Sequence, residues 1–149
     1  MKKALNWETV SKTESKIDKN TDKLVDLIIL GAGASGMMAG IAAASYFINR
    51  KFDAKIAIIE RHSMTGRKIL ATGNGQCNLS NQHAIAVNAS RNYYGDDIVE
   101  IVKVLRKFTP TDTIQFFEEL GVICRTTEDG KIYPLNNQSS TIRDALEER

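Results

Sequence analysis

Leu27-Ile28-Ile29-Leu30-Gly31-Ala32-Gly33-Ala34-Ser35-Gly36 decides the fold of this chain. Its first part belongs to a short apolar run, 24–30, which reads as a strand buried on both faces, as in a parallel sheet. The run breaks at a cluster of glycines. An Ala-rich stretch follows, 35–48, with helical character and small residues where a helix must approach a sheet. Lys55-Ile56-Ala57-Ile58-Ile59-Glu60 reads as a second strand. Strand, glycine turn, helix and strand make one βαβ unit with a right-handed crossover. The fold class is α/β: a Rossmann-like unit that opens a parallel sheet without completing it.

Gly31-Ala32-Gly33-Ala34-Ser35-Gly36 has the GxGxxG spacing, and the acid ending the second strand, Glu60, lies 24 residues beyond Gly36. A strand before, a helix after and an acid at that distance are the context a dinucleotide fingerprint requires. Gly31 permits the tight turn. Gly33, lacking a Cβ, lets a pyrophosphate approach the backbone, and Gly36 lets helix and strand pack closely. The helix start offers N–H groups and a positive dipole end to phosphates. Glu60 can accept hydrogen bonds from ribose hydroxyls. A carboxylate there favours an unphosphorylated ribose, with Arg61 adjacent. The fingerprint does not separate FAD from NAD. No GxxxxGK[ST] loop of an NTPase is present.

A second stretch, Thr65-Gly66-Arg67-Lys68-Ile69-Leu70-Ala71-Thr72-Gly73-Asn74-Gly75-Gln76-Cys77-Asn78, sits in a region, 61–95, without sustained periodicity. Two glycines beside Asn and Thr make a loop whose backbone can lie against a ligand. Arg67 and Lys68 can neutralise phosphates. A solvated glycine turn with two surface cations explains the same residues equally well.

Taken together, Gly31 to Gly36 with Gly40, Glu60 and the Gly66-Arg67-Lys68 to Thr72-Gly73-Asn74-Gly75-Gln76-Cys77-Asn78 stretch resemble the HI0933-like (BaiN-like) family of flavoproteins. Lys131-Ile132-Tyr133-Pro134, followed by Ser139-Ser140-Thr141-Ile142-Arg143-Asp144-Ala145-Leu146, is similar to a later segment of that family. The resemblance implies FAD-dependent oxidoreductases with a glutathione-reductase-type flavin domain. It implies that Gly31, Gly33, Ala34, Ser35 and Gly36 meet the FAD pyrophosphate and that Glu60, beside Arg61, holds the adenosine ribose. Arg67, Lys68, Thr72, Gly73, Asn74, Gly75 and Cys77 would lie along the flavin side. Gln76 stands where the family usually has Arg, which weakens an anion contact. Family members are longer, with a substrate domain and a returning C-terminal segment. The chain is therefore expected to be an N-terminal piece, inactive alone, of an enzyme passing hydride between NAD(P)H and a small organic substrate. The alternatives are a non-catalytic nucleotide-binding fragment and an NAD-binding Rossmann domain. No catalytic residue is assigned.

The remaining sequence bounds the partners. Residues 1–23 hold 6 of the 20 basic and 4 of the 18 acidic residues, so they carry the whole formal charge of +2. A neutral remainder argues against a nucleic-acid binder. Those residues read as a mobile leader too polar for a signal peptide, and no apolar run is long enough to span a membrane. Cys77 and Cys124 lie 47 residues apart, without a CxxC or a Cys/His cluster. Neither a disulfide framework nor a metal site is indicated, and a reducing cytoplasm is the default. Cys77 reads as a plain loop thiol, Cys124 and the Tyr93-Tyr94 pair as packing residues, and His62 and His83 as solvated.

Residues 24–95 are expected to form the first part of the flavin domain, and 96–149 a helix–helix–hairpin segment leading into the next one. Helical spacing predicts a helix over 96–107. Thr109-Pro110 starts another, which Gly121 ends. A hairpin is expected around Asp129-Gly130, a short strand over 84–87, and a last helix capped by Ser140. An unfinished sheet edge would favour self-association.

Overall fold

A computed structural model describes residues 8–11, 25–85, 93–95 and 97–149; of residues 8–11 it describes the backbone alone. The chain forms two compact units. One comprises the residues up to Ile69 together with Leu146–Arg149, the other Leu70–Ala145. This division differs from the boundary read at residue 95, because strands from both sides of that position pair in one sheet.

The first unit is built on the βαβ motif. β1 (Glu8–Ser11) and β2 (Leu27–Leu30) flank β3 (Ile56–Glu60), and both run parallel to it. α1 (Ala34–Asn49) connects β2 to β3 and packs on one face of the sheet. Within residues 1–23, read as a mobile leader, the described residues 8–11 form a strand, and the others lie outside the described residues. Glu8, Thr9, Val10 and Ser11 pair with Ala57, Ile58, Ile59 and Glu60. β3 offers backbone donors and acceptors on its second edge.

The expected burial of β2 on both faces is also corrected. Ile28 is 53% and Leu30 81% exposed, while Leu27 and Ile29 are half-buried. Among the described residues α1 covers one side of this sheet, and the alternation follows from that. On the packed side Gly40 lets α1 approach Ile29 and Ile58. α2 (Arg67–Ala71) follows Gly66, whose N–H donates to the Ala32 carbonyl at 2.7 Å. The Thr65 hydroxyl donates to Glu147 at 2.6 Å.

The second unit holds an antiparallel sheet in the order β4 (Ser80–Asn81), β6 (Lys131–Pro134), β5 (Cys124–Thr126). α3 (Ile98–Leu105) and α4 (Pro110–Glu119) precede the hairpin, and α5 (Ser139–Glu147) follows it. Phe117, Val122, Ile132 and Pro134 are buried. The sequence reading holds closely at α4. Thr109 accepts from the Asp112 N–H at 3.2 Å, and the Thr109 N–H donates to Asp112 at 2.7 Å. Pro110 fills the first turn, and Gly121 takes a φ of 83° just past the end. Thr109→Ala removes that capping box and should lower stability by about 1 kcal/mol in thermal or urea unfolding.

Elsewhere the details shift. α5 begins at Ser139, so Ser140 lies inside it, and the Ser139 hydroxyl donates to the Leu70 carbonyl at 3.1 Å. Tyr94 is 97% exposed rather than packed, while the Tyr93 hydroxyl donates to the Ala84 carbonyl. Ala84 and Ile85 form a turn; residues 86 and 87 of the expected strand lie outside the described residues.

Candidate functional site

The first unit brings the fingerprint and the acid together. β2 ends at Leu30, and Gly31 turns the chain with a φ of 94°. The Gly31 N–H donates to the Ile59 carbonyl at 2.7 Å, tying the turn to the end of β3. A Cβ on Gly36 would lie 1.8 Å from the Gly31 carbonyl oxygen, so the first turn of α1 sits directly on the glycine bend. A Cβ on Gly33, by contrast, would meet nothing within 4 Å. Gly33 is the N-cap, no side chain caps the helix, and its first turn carries no acid. Ala34 and Ser35 are exposed. The leading N–H groups of α1 thus have no side-chain cap and no acid within their own turn. This cradle fits a pyrophosphate.

Glu60 closes the bend from the other strand. One carboxylate oxygen accepts from the Ala32 N–H at 2.8 Å and the other from the His62 N–H at 2.9 Å. Those bonds, the one from His62 first, hold its carboxyl below the usual value, so it is ionised at neutral pH. Each oxygen retains acceptor capacity for a ribose hydroxyl. Arg61, Arg67 and Lys68 are exposed. Arg67 directly follows Gly66, whose N–H is bonded to the Ala32 carbonyl, so its backbone lies next to the glycine bend. Arg61 donates to the His62 ring at 3.2 Å. Gly66 and the buried Thr65 are support residues that motif reading did not separate from their neighbours.

The second unit holds the other part of the predicted set. Thr72–Gly75 forms a 3₁₀ turn in which Gly73 and Asn74 adopt left-handed φ values of 55° each. Gly75 has a φ of 86° and Cys77 of 59°. Thr72, Gly73 and Asn74 are exposed, Gly75 is half-buried and Cys77 is buried. The Cys77 N–H donates to the Thr72 carbonyl at 3.0 Å, and burial pushes its thiol up, away from a reactive thiolate. A Cβ on Gly73 would lie 2.7 Å from the Asn78 backbone nitrogen, so glycine is required here for space as well as conformation. The Leu79 N–H donates to the Ile132 carbonyl at 2.8 Å, anchoring the loop exit to β6. Cys124 is half-buried, and His62 and His83 are exposed. Among the described residues no three His, Cys, Asp or Glu side chains group to hold a metal, and no helix is long and apolar enough to cross a membrane.

Comparison with known proteins gives a consistent assignment. Residues 25–149 match the family described as the HI0933-like protein Rossmann domain. A 3-dehydro-bile acid delta(4,6)-reductase of Clostridium scindens is 41% identical over 119 residues, covering 80% of this chain and 27% of that protein. Ribosomal RNA dihydrouridine synthases of Escherichia coli and Haemophilus influenzae are 28% and 26% identical, over 72% and 71% of this chain and 24% of each relative. The chain spans about a quarter of the length of the curated relatives it matches.

Proposed function

The chain belongs to the HI0933-like family, with a Rossmann domain over residues 25–149, and from that premise we propose that it is the FAD-binding part of a flavin-dependent oxidoreductase. The observation that carries this reading is the bond from the Ala32 N–H to Glu60. It holds the Glu60 carboxylate against the glycine bend, which supports reading Glu60 as the ribose-binding acid beside a pyrophosphate site. The reductase from Clostridium scindens supports redox chemistry for the whole protein.

In this proposal Gly31, Gly33, Ala34, Ser35 and Gly36 hold the pyrophosphate through backbone N–H groups and the α1 dipole. Glu60 holds the adenosine ribose. Arg61, Arg67 and Lys68 offset phosphate charge. Thr72, Gly73, Asn74, Gly75 and Cys77 lie on the flavin side. FAD, when bound, supplies hydride transfer, with NAD(P)H as donor and a small organic molecule as substrate; the protein binds and orients it.

Parallel titrations with FAD, ADP and NAD, followed by thermal unfolding, test this directly. A ligand at a hundred times its Kd should stabilise the protein by about 2.7 kcal/mol. FAD is expected to bind most tightly, followed by ADP. Preference for NAD over FAD, or no stabilisation by any of the three, would overturn the proposal.

A further inference from the structure

We propose that Tyr133 is a positioning residue for the flavin side of the cofactor, acting through the Thr72–Gly75 turn. The inference rests on the FAD reading above and extends it to a residue 60 positions downstream of Gly73. The turn has internal bonds from the Gln76 and Cys77 N–H groups to the Gly73 and Thr72 carbonyls, but its conformation is a costly one. Gly73, Asn74, Gly75 and Cys77 all have positive φ, and two of them are not glycine. Backbone of this kind persists where its surroundings over-determine it, and it concentrates at ligand sites.

The β5–β6 hairpin supplies that support. A Cβ on Gly73 would lie 3.4 Å from Tyr133 Cε1, so the ring stands against the turn. The ring also has a cation beside it. Arg125 is the cross-strand partner of Tyr133, and its guanidinium carbon lies 5.2 Å from the ring centroid. The guanidinium is aimed by two hydrogen bonds to Asn137 Oδ1, from Nε at 3.0 Å and Nη2 at 2.6 Å.

Along β6, Ile132 and Pro134 are buried while Tyr133 between them is half-exposed. Alternation sends Tyr133 to the face opposite those core residues. Its ring therefore backs the turn without filling the core, and losing it should loosen the turn more than it lowers stability.

The test compares FAD with ADP on the full chain, because ADP lacks the flavin part and reports only on the glycine bend and Glu60. Tyr133→Ala should weaken FAD about tenfold, the scale of removing one hydrogen bond or one packed ring, and leave ADP within about twofold. Tyr133→Phe keeps the ring and should bind FAD as the parent does. Arg125→Met removes the cation over the ring and should weaken FAD about threefold. The absorption band of bound flavin should shift in Tyr133→Ala and not in Tyr133→Phe.

Unchanged FAD affinity in Tyr133→Ala overturns the proposal. So does a parallel loss of FAD and ADP, which marks a merely structural residue. Equal affinity of the parent for FAD and ADP also overturns it while sparing the nucleotide site. Failure of the parent to bind either ligand overturns the FAD reading itself, and this inference with it.

Discussion

Gly36→Ala is expected to destabilise the first unit by about 3 kcal/mol and to abolish measurable FAD and ADP binding. In most helices the same change is stabilising by about 0.5–1 kcal/mol, because alanine restricts the unfolded chain. Here the sign reverses. The new Cβ would lie 1.8 Å from the Gly31 carbonyl oxygen and 3.0 Å from its carbon, both backbone atoms that no rotamer change can move. Helix and bend must separate, and that separation pulls the leading N–H groups of α1 away from Ala32 and Glu60. Gly40→Ala is the internal control. Its Cβ would meet the Ile58 Cδ1 methyl at 2.9 Å, the flexible end of a side chain. Urea unfolding of both variants should show a large loss for the first and a small change for the second. A Gly36→Ala protein as stable as the parent would show that the bend is not packed as described.

Glu60→Gln should weaken FAD and ADP by well over tenfold, the scale set by loss of charge-assisted hydrogen bonds. An amide replaces one acceptor oxygen with a donor, so either Ala32 or His62 loses its partner along with the ribose. The pH dependence has a definite sign. The folded carboxyl titrates below its ordinary value of 4.5, so its contribution is complete above that value and lost as pH falls through the lowered pKa. FAD, whose internal pyrophosphate does not titrate in this range, should therefore bind the parent with an affinity flat from neutral pH down to about 5 and falling in stronger acid. The Glu60→Gln protein should lack that acid limb. Isothermal titration across this range reads both effects.

The glycine bend and its acid were legible because their information is local. A strand, three glycines, a helix and an acid carry one physical requirement each, and all lie between Leu27 and Glu60. The α4 cap was legible for the same reason, since Thr109 and Asp112 satisfy each other across one turn. Tyr133 was not legible as a neighbour of Gly73. Its place there depends on a hairpin register that periodicity does not encode, and a lone aromatic in a strand reads as packing. The exposure of Ile28 and Leu30 was hidden too, because an apolar run looks the same whether one or both faces of its sheet are covered. β1 was missed because residues 8–11 have too little apolar alternation to stand out from the lysines around them.

The bond between Thr65 and Glu147 joins residues 82 positions apart. The glycine bend, by contrast, is complete once Glu60 is available. During synthesis the nucleotide cradle can therefore assemble early, while the seal at Thr65 waits for nearly ninety further residues to leave the ribosome. At the elongation rates typical of cells, about 5–20 residues per second, that interval is several seconds. On the FAD reading, a dinucleotide present in that window would meet the glycine bend before the bond between Thr65 and Glu147 can form.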